Sequence, residues 1–178
     1  MQTLVVMALK VESHGLFEAA GYKPFFCGVG SVKATHNLTK MILEQKPKRV
    51  INFGTAGSQR LSVGTLVECI AFAQRHPHDF LTIPNEKLYV EPLTDLPKAC
   101  CGSGDFIEKS SPVTDCDVFD MEAYPLAYVC QKMNVTFQSY KYVTDSSNEA
   151  LLSDWKINLK ASAESLLNQL RKLKIESH

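Results

Sequence analysis

The sequence lacks three features that would each point to a broad class of proteins. It has no excess of charge, because nineteen lysines and arginines balance nineteen aspartates and glutamates, and so no overall field draws it to nucleic acid or to an anionic membrane. It has no apolar run near the roughly 20 residues that a membrane helix needs. Its six cysteines do not have the spacing of a zinc site. We therefore expect small-molecule or protein partners and no metal, nucleic acid or membrane.

The cysteines also bear on the cellular compartment. They are scattered, and the adjacent Cys100 and Cys101 do not form a plausible structural bridge. This pattern predicts a reduced, cytoplasmic protein. The apolar start, Met1 to Leu9, is followed at once by Lys10 and Glu12, which indicates a first β-strand and not a signal peptide.

Hydrophobic patterning predicts an α/β protein. With 178 residues, 45% of them hydrophobic, we expect a single domain over residues 1–178. Helix-period segments at Val32 to Gln45 and Met121 to Met133 alternate with strand-length apolar runs, which favours a three-layer fold with a mixed central β-sheet flanked by helices. The apolar runs are Leu4 to Ala8, Phe25 to Cys27, Arg49 to Phe53, Thr65 to Ala73, Val118 to Phe119 and Phe137 to Val143.

Two segments depart from this alternation. Residues 76–98 contain four of the eight prolines, which predicts a long excursion that is a lid, a subunit contact or a mobile stretch. Just before it, Arg75 to Asp79 is interpreted as a surface loop and not as a set of metal ligands. The last segment opens with a helix cap at Ser153-Asp154 and then predicts a surface helix packed on the sheet.

Several predicted strands end in residues suited to ligand binding, and ligands gather at the carboxyl ends of strands in such sheets. The glycine turn at Phe26 to Ala34 is compatible with half of a dinucleotide fingerprint, with a tight turn or with a glycine loop that lines a ligand site. The strand at Val50 breaks into small residues at Gly54 to Ser58. Such residues let a flat ring or a sugar approach the backbone, although a plain strand-to-loop turn has the same pattern.

Taken together, these stretches resemble the purine nucleoside phosphorylase and nucleosidase superfamily, and most closely its 5′-methylthioadenosine/S-adenosylhomocysteine nucleosidase branch. The resemblance implies that superfamily's fold, no cofactor and a homodimer. It also implies a shortened form, because relatives usually carry more residues before the glycine turn and after the "VGTLVE" strand. The matching segments occur in the family's order and are "MALKVES", "FFCGVGSVKATHNL", "VINFGTAG", "VGTLVE", "SGDFI", "DMEAYPLAYVC" and "VTDSS".

The resemblance also implies catalytic roles. Breaking the bond between ribose and a purine passes through an oxocarbenium-like state, as in other glycoside cleavages. Asp145 matches the acid that protonates the departing base, and Glu12 matches the carboxylate that activates the attacking water. Met121 and Glu122 match the pair that binds ribose, and the carboxylate of this pair stabilises the cationic sugar.

Further residues are expected around the base and the sugar. Phe106 and Ile107 resemble the residues that cover the purine, although many relatives have one more residue before the aromatic side chain. Asp120 is interpreted as a structural residue whose charge suits a helix start. The remaining expected substrate contacts are Ser103, Thr55, Ala56 and Gly57.

The attacking nucleophile is predicted from the absence of an arginine just before the small-residue turn at Gly54. Phosphorylases of the superfamily bring arginines to phosphate, because a dianion favours bidentate, permanently charged donors. Here Asn52 precedes the turn, and the chain has no arginine through Gly30. We therefore predict hydrolysis of an adenosine-type thioether nucleoside. The alternatives are a futalosine-type hydrolase, a phosphate-dependent purine nucleoside phosphorylase and a nucleoside-binding module without turnover.

Overall fold

The computed structural model describes residues 2–75, 87–106, 115–146 and 151–175. In this part of the chain the strands are β1 (Thr3–Met7), β2 (Phe25–Phe26), β3 (Arg49–Gly57), β4 (Leu66–Gln74), β5 (Leu88–Tyr89), β6 (Lys98–Ser103), β7 (Val118–Asp120) and β8 (Thr136–Asp145). They form one mixed sheet in the order β2-β1-β3-β7-β6-β4-β5, with β8 paired to both β3 and β4. Strands β1, β3 and β8 run parallel, so their carboxyl ends meet at one edge.

Helices cover both faces of the sheet. On one face lie α3 (Ser31–Gln45) and α4 (Ala123–Lys132). The other face carries α2 (Leu16–Ala19) and the long α5 (Leu151–Lys172), while α1 (Lys10–Ser13) directly follows β1. This arrangement confirms the predicted three-layer α/β fold with a mixed central sheet.

The alternation of side chains along β1 separates the two cores. Leu4 and Val6 pack in the core beneath α3 and α4, whereas Val5 and Met7 pack in the core beneath α5. Successive side chains of a strand point to opposite faces. Because both faces of the sheet are covered by helices, its central strands are largely apolar, which is why they were recognisable in the sequence.

The element boundaries differ from the prediction by one or two residues in several elements and most clearly in two. The strand predicted to end at Phe53 continues to Gly57, because the small residues pair with β8 in parallel register, Thr55 opposite Tyr142. The last helix begins at Leu151, before the predicted cap at Ser153. Strands β5 and β6 are not among the apolar runs identified in the sequence, since β5 has two residues and β6 is composed largely of small ones.

Part of the predicted excursion lies within the described residues. Residues 76–86 lie outside them, while β5 and the first residue of β6 belong to residues 87–98. No helix in the described ranges is long and apolar enough to cross a membrane. Over the same ranges, no three His, Cys, Asp or Glu side chains are grouped so that they could hold a metal ion. None of the six cysteines, all of which lie in these ranges, forms a disulfide.

Candidate active site

A cavity of about 240 Å³ lies where β1, β3 and β8 end, with the segments after β6 and β7 forming more of its wall. The wall brings together residues that are far apart in the sequence. Among the predicted site residues, those that line it are Glu12, Thr55, Ala56, Gly57, Phe106, Met121, Glu122 and Asp145. The glycine turn also contributes, through Val29, as expected for a glycine loop that lines a ligand site.

Glu12 is buried and held by three hydrogen bonds. Its Oε1 accepts one from the backbone N–H of Thr55 at 3.1 Å and one from the Thr55 hydroxyl at 2.9 Å. Its Oε2 accepts one from the N–H of Leu9 at 3.0 Å. Because α1 begins directly after β1, this short helix places the carboxylate beside the end of β3. The orientation of Glu12 is therefore set by the ends of two strands.

Glu122 is buried at the amino end of α4 and reaches the glycine turn. Its Oε1 accepts a hydrogen bond from the N–H of Gly30 at 2.8 Å. Gly30 has a φ of +91°, a backbone conformation that favours glycine. Burial, followed by the negative charge of Asp120, raises the pKa of Glu122 to about 8. In the unliganded protein near neutral pH, Glu122 is therefore largely a neutral carboxylic acid.

A buried ion pair joins Asp120 to Lys141. Lys141 Nζ lies 2.8 Å from Asp120 Oδ2, and each side chain is 2% exposed. Burial disfavours the charge on Asp120, but Lys141 and the hydrogen bonds from Ser103 and Ala123 outweigh it and hold the pKa of Asp120 below its usual range. Burial also opposes the charge on Lys141, yet Asp120 raises the pKa of Lys141 above its ordinary value. These contacts agree with a structural role for Asp120.

Lys141 was not recognised from the sequence, although it lies close to the proposed catalytic carboxylates. A Cβ added to Gly54 would lie 3.1 Å from Lys141 Nζ and 3.4 Å from Glu12 Oε1. The bare glycine therefore leaves room for the lysine beneath the cavity. The available signal was a lysine within an otherwise buried strand, which requires a charged partner elsewhere in the fold.

Asp145 is the last residue of β8 and lines the cavity. Its side chain is buried, and Oδ2 accepts a hydrogen bond from the Thr144 hydroxyl at 2.9 Å. Its backbone carbonyl accepts a hydrogen bond from the N–H of Ser58 at 3.0 Å. The end of β8 is thereby tied to the end of β3.

The sequence interpretation of Arg75 as part of a surface loop was wrong. Arg75 is 5% exposed and lines the cavity. Its Nε donates to the carbonyl of Gly102 at 3.0 Å, and its Nη2 donates to those of Phe106 and Asp120 at 3.3 and 3.1 Å. The guanidinium carbon lies 4.6 Å from the centre of the Phe106 ring, within cation–π range. Residues 76–79, the rest of that prediction, lie outside the described residues.

Two glycines make room for Arg75 and Phe106. A Cβ on Gly102 would lie 3.0 Å from Arg75 Cδ, and one on Gly104 would lie 2.8 Å from Phe106 Cε1. Strand β4 runs parallel to β6, with Gln74 opposite Ser103. The residue after Gln74 therefore lies beside the Gly-Ser-Gly segment, a pairing that the sequence alone does not give.

One predicted contact within the described residues, Ser103, is not part of the observed cavity wall. The hydroxyl of Ser103 donates to Asp120 Oδ1 and accepts from the N–H of Tyr124 at 2.8 Å, and Ser103 is 1% exposed. We therefore correct its predicted role from a substrate contact to a support for Asp120. Ile107 lies outside the described residues.

The mouth of the cavity is apolar and includes a residue that the sequence did not single out. Trp155 of α5 lines the cavity, and its indole N–H donates to the Thr55 hydroxyl at 2.9 Å. Leu9, Val29 and Leu152 also line it and are 37%, 36% and 60% exposed. An aromatic and aliphatic rim of this kind suits an apolar substituent on a bound molecule.

The fold is that of nucleosidases with known structures. The sequence itself matches no protein-family model and no curated protein. The structure, in contrast, is similar throughout its length to solved nucleosidases and to a futalosine hydrolase. At sequence identities of 20% or less this similarity shows the fold alone, and it confirms the fold expected from the sequence motifs.

Three of these structures illustrate the match. The 5′-methylthioadenosine/S-adenosylhomocysteine nucleosidase from Helicobacter pylori, solved with butyl-thio-DADMe-Immucillin-A, has a TM-score of 0.81 at 19% identity, over 97% of both chains. The native futalosine hydrolase of Helicobacter pylori has a TM-score of 0.80 at 20% identity, over 96% of both chains. The apo 5′-methylthioadenosine nucleosidase of Arabidopsis thaliana has a TM-score of 0.82 at 17% identity, over 96% of this chain and 93% of that one.

Proposed function

We propose that the protein is a purine nucleosidase that hydrolyses the N-glycosidic bond of an adenosine-type thioether nucleoside, releasing the free base and the ribose derivative. The observation that carries this proposal is the convergence of Glu12, Glu122 and Asp145 on one cavity with an apolar mouth. The reaction needs a proton for the base, a negative environment for the sugar and an activated water. These three carboxyl groups can meet those needs without a cofactor.

Asp145 is the proposed general acid. As the bond between the anomeric carbon and the purine nitrogen breaks, the electron pair moves to the base, and Asp145 gives a proton to the imidazole ring. Asp145 lines the cavity, and its carboxyl group accepts a hydrogen bond from the Thr144 hydroxyl, which supports a fixed orientation. Transfer by a positioned group of this kind contributes about 100-fold or more to the rate.

Glu12 is the proposed base. A water molecule adds its oxygen to the anomeric carbon and releases a proton, which Glu12 accepts. Thr55 and Leu9 hold the carboxylate in place with three hydrogen bonds, so little reorganisation is needed at the moment of reaction. The proton taken by Glu12 and the one given by Asp145 leave the overall proton count unchanged.

Glu122 is the proposed contact to the ribose, with Met121 packed against the sugar. In the unliganded site Glu122 is largely protonated, for the reasons of burial and charge given above. A sugar that becomes cationic favours the ionised form of a neighbouring carboxyl group, so Glu122 releases its proton to solvent as the positive charge develops. The interaction is therefore stronger in the transition state than in the bound substrate, which is the condition for catalysis.

The base and the 5′ substituent have separate proposed surroundings. Phe106 and the backbone from Thr55 to Gly57 line the part assigned to the purine, and Ile107 remains a predicted neighbour. The apolar mouth, with Leu9 and Trp155, is assigned to the thioether substituent. Contacts of this kind favour a nucleoside with an apolar 5′ group over one with a free hydroxyl.

Water is preferred to phosphate as the nucleophile because of how the cavity arginine is engaged. Arg75 already donates to three backbone carbonyls, and binding a phosphate through those N–H groups would leave the carbonyls unpaired in a buried place.

As further parts of the proposal, the chain acts as one domain over residues 1–178 and works as a cytoplasmic homodimer. The six free thiols are compatible with a reducing compartment.

The test is base release from a panel of nucleosides. Purified protein is incubated with methylthioadenosine, S-adenosylhomocysteine, adenosine, inosine and futalosine, with and without phosphate, and free base is measured by chromatography. We expect release from the thioether nucleosides without phosphate. Glu12→Gln and Asp145→Asn should each lower turnover at least about 100-fold, while the exposed Glu44→Gln serves as a matched control. Preferred release from futalosine, a need for phosphate, or binding without release would each favour the corresponding alternative.

A further inference from the structure

The single tryptophan of the chain is joined to Glu12 through one hydroxyl group. Trp155 Nε1 donates to Thr55 Oγ1 at 2.9 Å, and Thr55 Oγ1 lies 2.9 Å from Glu12 Oε1. The three residues come from α5, β3 and α1, and all three line the cavity. The proposed base is thus connected to a residue more than a hundred positions away.

The direction of these hydrogen bonds follows from the chemistry of the groups. An indole N–H can only donate, and a hydroxyl has one proton and two lone pairs. Once Trp155 occupies a lone pair of the Thr55 hydroxyl, the hydroxyl proton points to Glu12. Without the indole N–H, the hydroxyl is able to rotate and to accept a hydrogen bond from water instead.

We propose that Trp155 is a positioning residue for the hydrolytic reaction. Its indole N–H keeps the Thr55 hydroxyl aimed at Glu12 Oε1, and this arrangement leaves the remaining lone pairs of the carboxylate for the attacking water. The inference rests on the proposed function, because it assigns Trp155 a part in the activation of water by Glu12. The indole ring has a separate part, since it also forms the mouth of the cavity.

A second anchor holds the start of α5 in place. Asn158 Nδ2 donates to the carbonyl of Thr144 at 2.9 Å, beside Asp145. Asn158 lies three residues after Trp155, and residues with this spacing share one face of a helix. One face of α5 is therefore attached both to the segment that carries the proposed acid and to the hydroxyl that holds the proposed base.

The first test separates the indole N–H from the indole ring. Trp155→Phe keeps an aromatic ring and removes the donor, and Thr55→Val keeps the shape of Thr55 and removes its hydroxyl. We expect each to lower kcat about 10-fold, because each disturbs the hydrogen bond from the Thr55 hydroxyl to the Glu12 carboxylate, and this is the value for one hydrogen bond to a charged group; KM should stay within about twofold of the wild type. The double variant should be no slower than Thr55→Val alone, because both changes remove the same link.

Two controls complete the kinetic test. Thr55→Ser retains the hydroxyl and should restore most of the wild-type kcat. Tyr128→Phe removes a polar group from a half-exposed aromatic residue on α4, away from the cavity, and should change neither constant. A merely structural role for Trp155 would instead give a similar loss in both constants, or additive losses in the double variant.

The second test does not depend on turnover. A ¹⁵N-labelled sample has one indole N–H resonance, because the chain has one tryptophan. We expect this resonance to shift in Thr55→Val and Glu12→Gln and to stay near its wild-type position in Thr55→Ser. An indole resonance that does not shift in Thr55→Val would contradict the hydrogen bond between Trp155 and Thr55.

Failure of the positioning role can be distinguished from failure of the proposed function. An active wild type whose Trp155→Phe variant keeps its kcat would overturn the positioning role and leave the proposed function intact. A wild-type protein that releases no base from any nucleoside would overturn the proposed function and, with it, the catalytic part assigned to Trp155. In that case the indole resonance would still report whether Thr55 and Trp155 are joined.

Discussion

The ammonium group of Lys141 lies 2.8 Å from a carboxylate oxygen of Asp120, a residue that lines the cavity, and both side chains are buried. One cation thus lies among three acidic groups, since Glu12 and Glu122 are its neighbours and Asp120 is its direct partner. The pairing leaves Asp120 ionised while Glu122 is largely protonated. The charge state of the site therefore depends on a residue that contacts none of the proposed catalytic atoms directly.

Removing this cation should destabilise the fold. Lys141→Met leaves the buried carboxylate of Asp120 without its partner, and we expect the free energy of unfolding to fall by about 3–5 kcal/mol, as measured by urea denaturation. The matched control is Lys40→Met, which breaks an exposed pair with Glu44 on α3 and should cost less than about 1 kcal/mol.

A double variant separates lost charge pairing from lost packing. In Asp120→Asn/Lys141→Met no buried charge is left unpaired, so the double variant should be more stable than Lys141→Met alone. Equal stability of the double variant and Lys141→Met would mean that loss of the ion pair does not account for the destabilisation.

The raised pKa of Glu122 predicts a pH dependence of stability. Its pKa is about 8 in the folded protein against an ordinary value of 4.5, so between these pH values the folded state holds a proton that the unfolded chain has lost. Raising the pH through this window therefore lowers the free energy of unfolding, by up to about 1.4 kcal/mol per pH unit. Below about pH 4.5 and above about pH 8 this contribution is constant.

Glu122→Gln should remove that slope, because an amide does not titrate in this range. The measurement is urea denaturation of the unliganded protein at several values between pH 5 and pH 8. The exposed Glu44→Gln should keep the wild-type slope. Parallel curves for the wild type and Glu122→Gln would contradict the raised pKa.

Arg75 should matter more for substrate binding than for the chemical step. It links the carbonyls of Phe106 and Asp120, and thus the proposed base-covering segment and the proposed ribose-binding segment. Arg75→Met loses these bonds, and we expect KM for a nucleoside to rise about 10-fold or more, as for loss of charged hydrogen bonds, with a smaller change in kcat. Arg49→Met, which loses hydrogen bonds to Thr3 on β1, should leave KM unchanged.

The sequence predicted the layers of the fold and the strand ends at which Glu12, Glu122 and Asp145 lie. Periodicity and residue order are local, and they carry this information well. Lys141 and Trp155 were missed because their significance depends on partners that are distant in the sequence, Asp120 and Thr55. No local pattern encodes such a pairing.

Arg75 was misplaced for a related physical reason. A charged residue followed by histidines and prolines is usually solvated, and a surface loop was the natural interpretation. The structure instead satisfies its guanidinium with carbonyls supplied by β6, by Phe106 and by β7. Burial of a charge is decided by such tertiary contacts, and two glycines are needed to make space for them.

The central claim is that water, activated at this site, cleaves the nucleoside. The most direct measurement is mass spectrometry of the sugar formed from methylthioadenosine in ¹⁸O-labelled water, with phosphate present. We predict one ¹⁸O atom at the anomeric position, free adenine in equal amount, and loss of both products in Asp145→Asn. Formation of a sugar 1-phosphate, or the absence of any cleavage, would contradict the account.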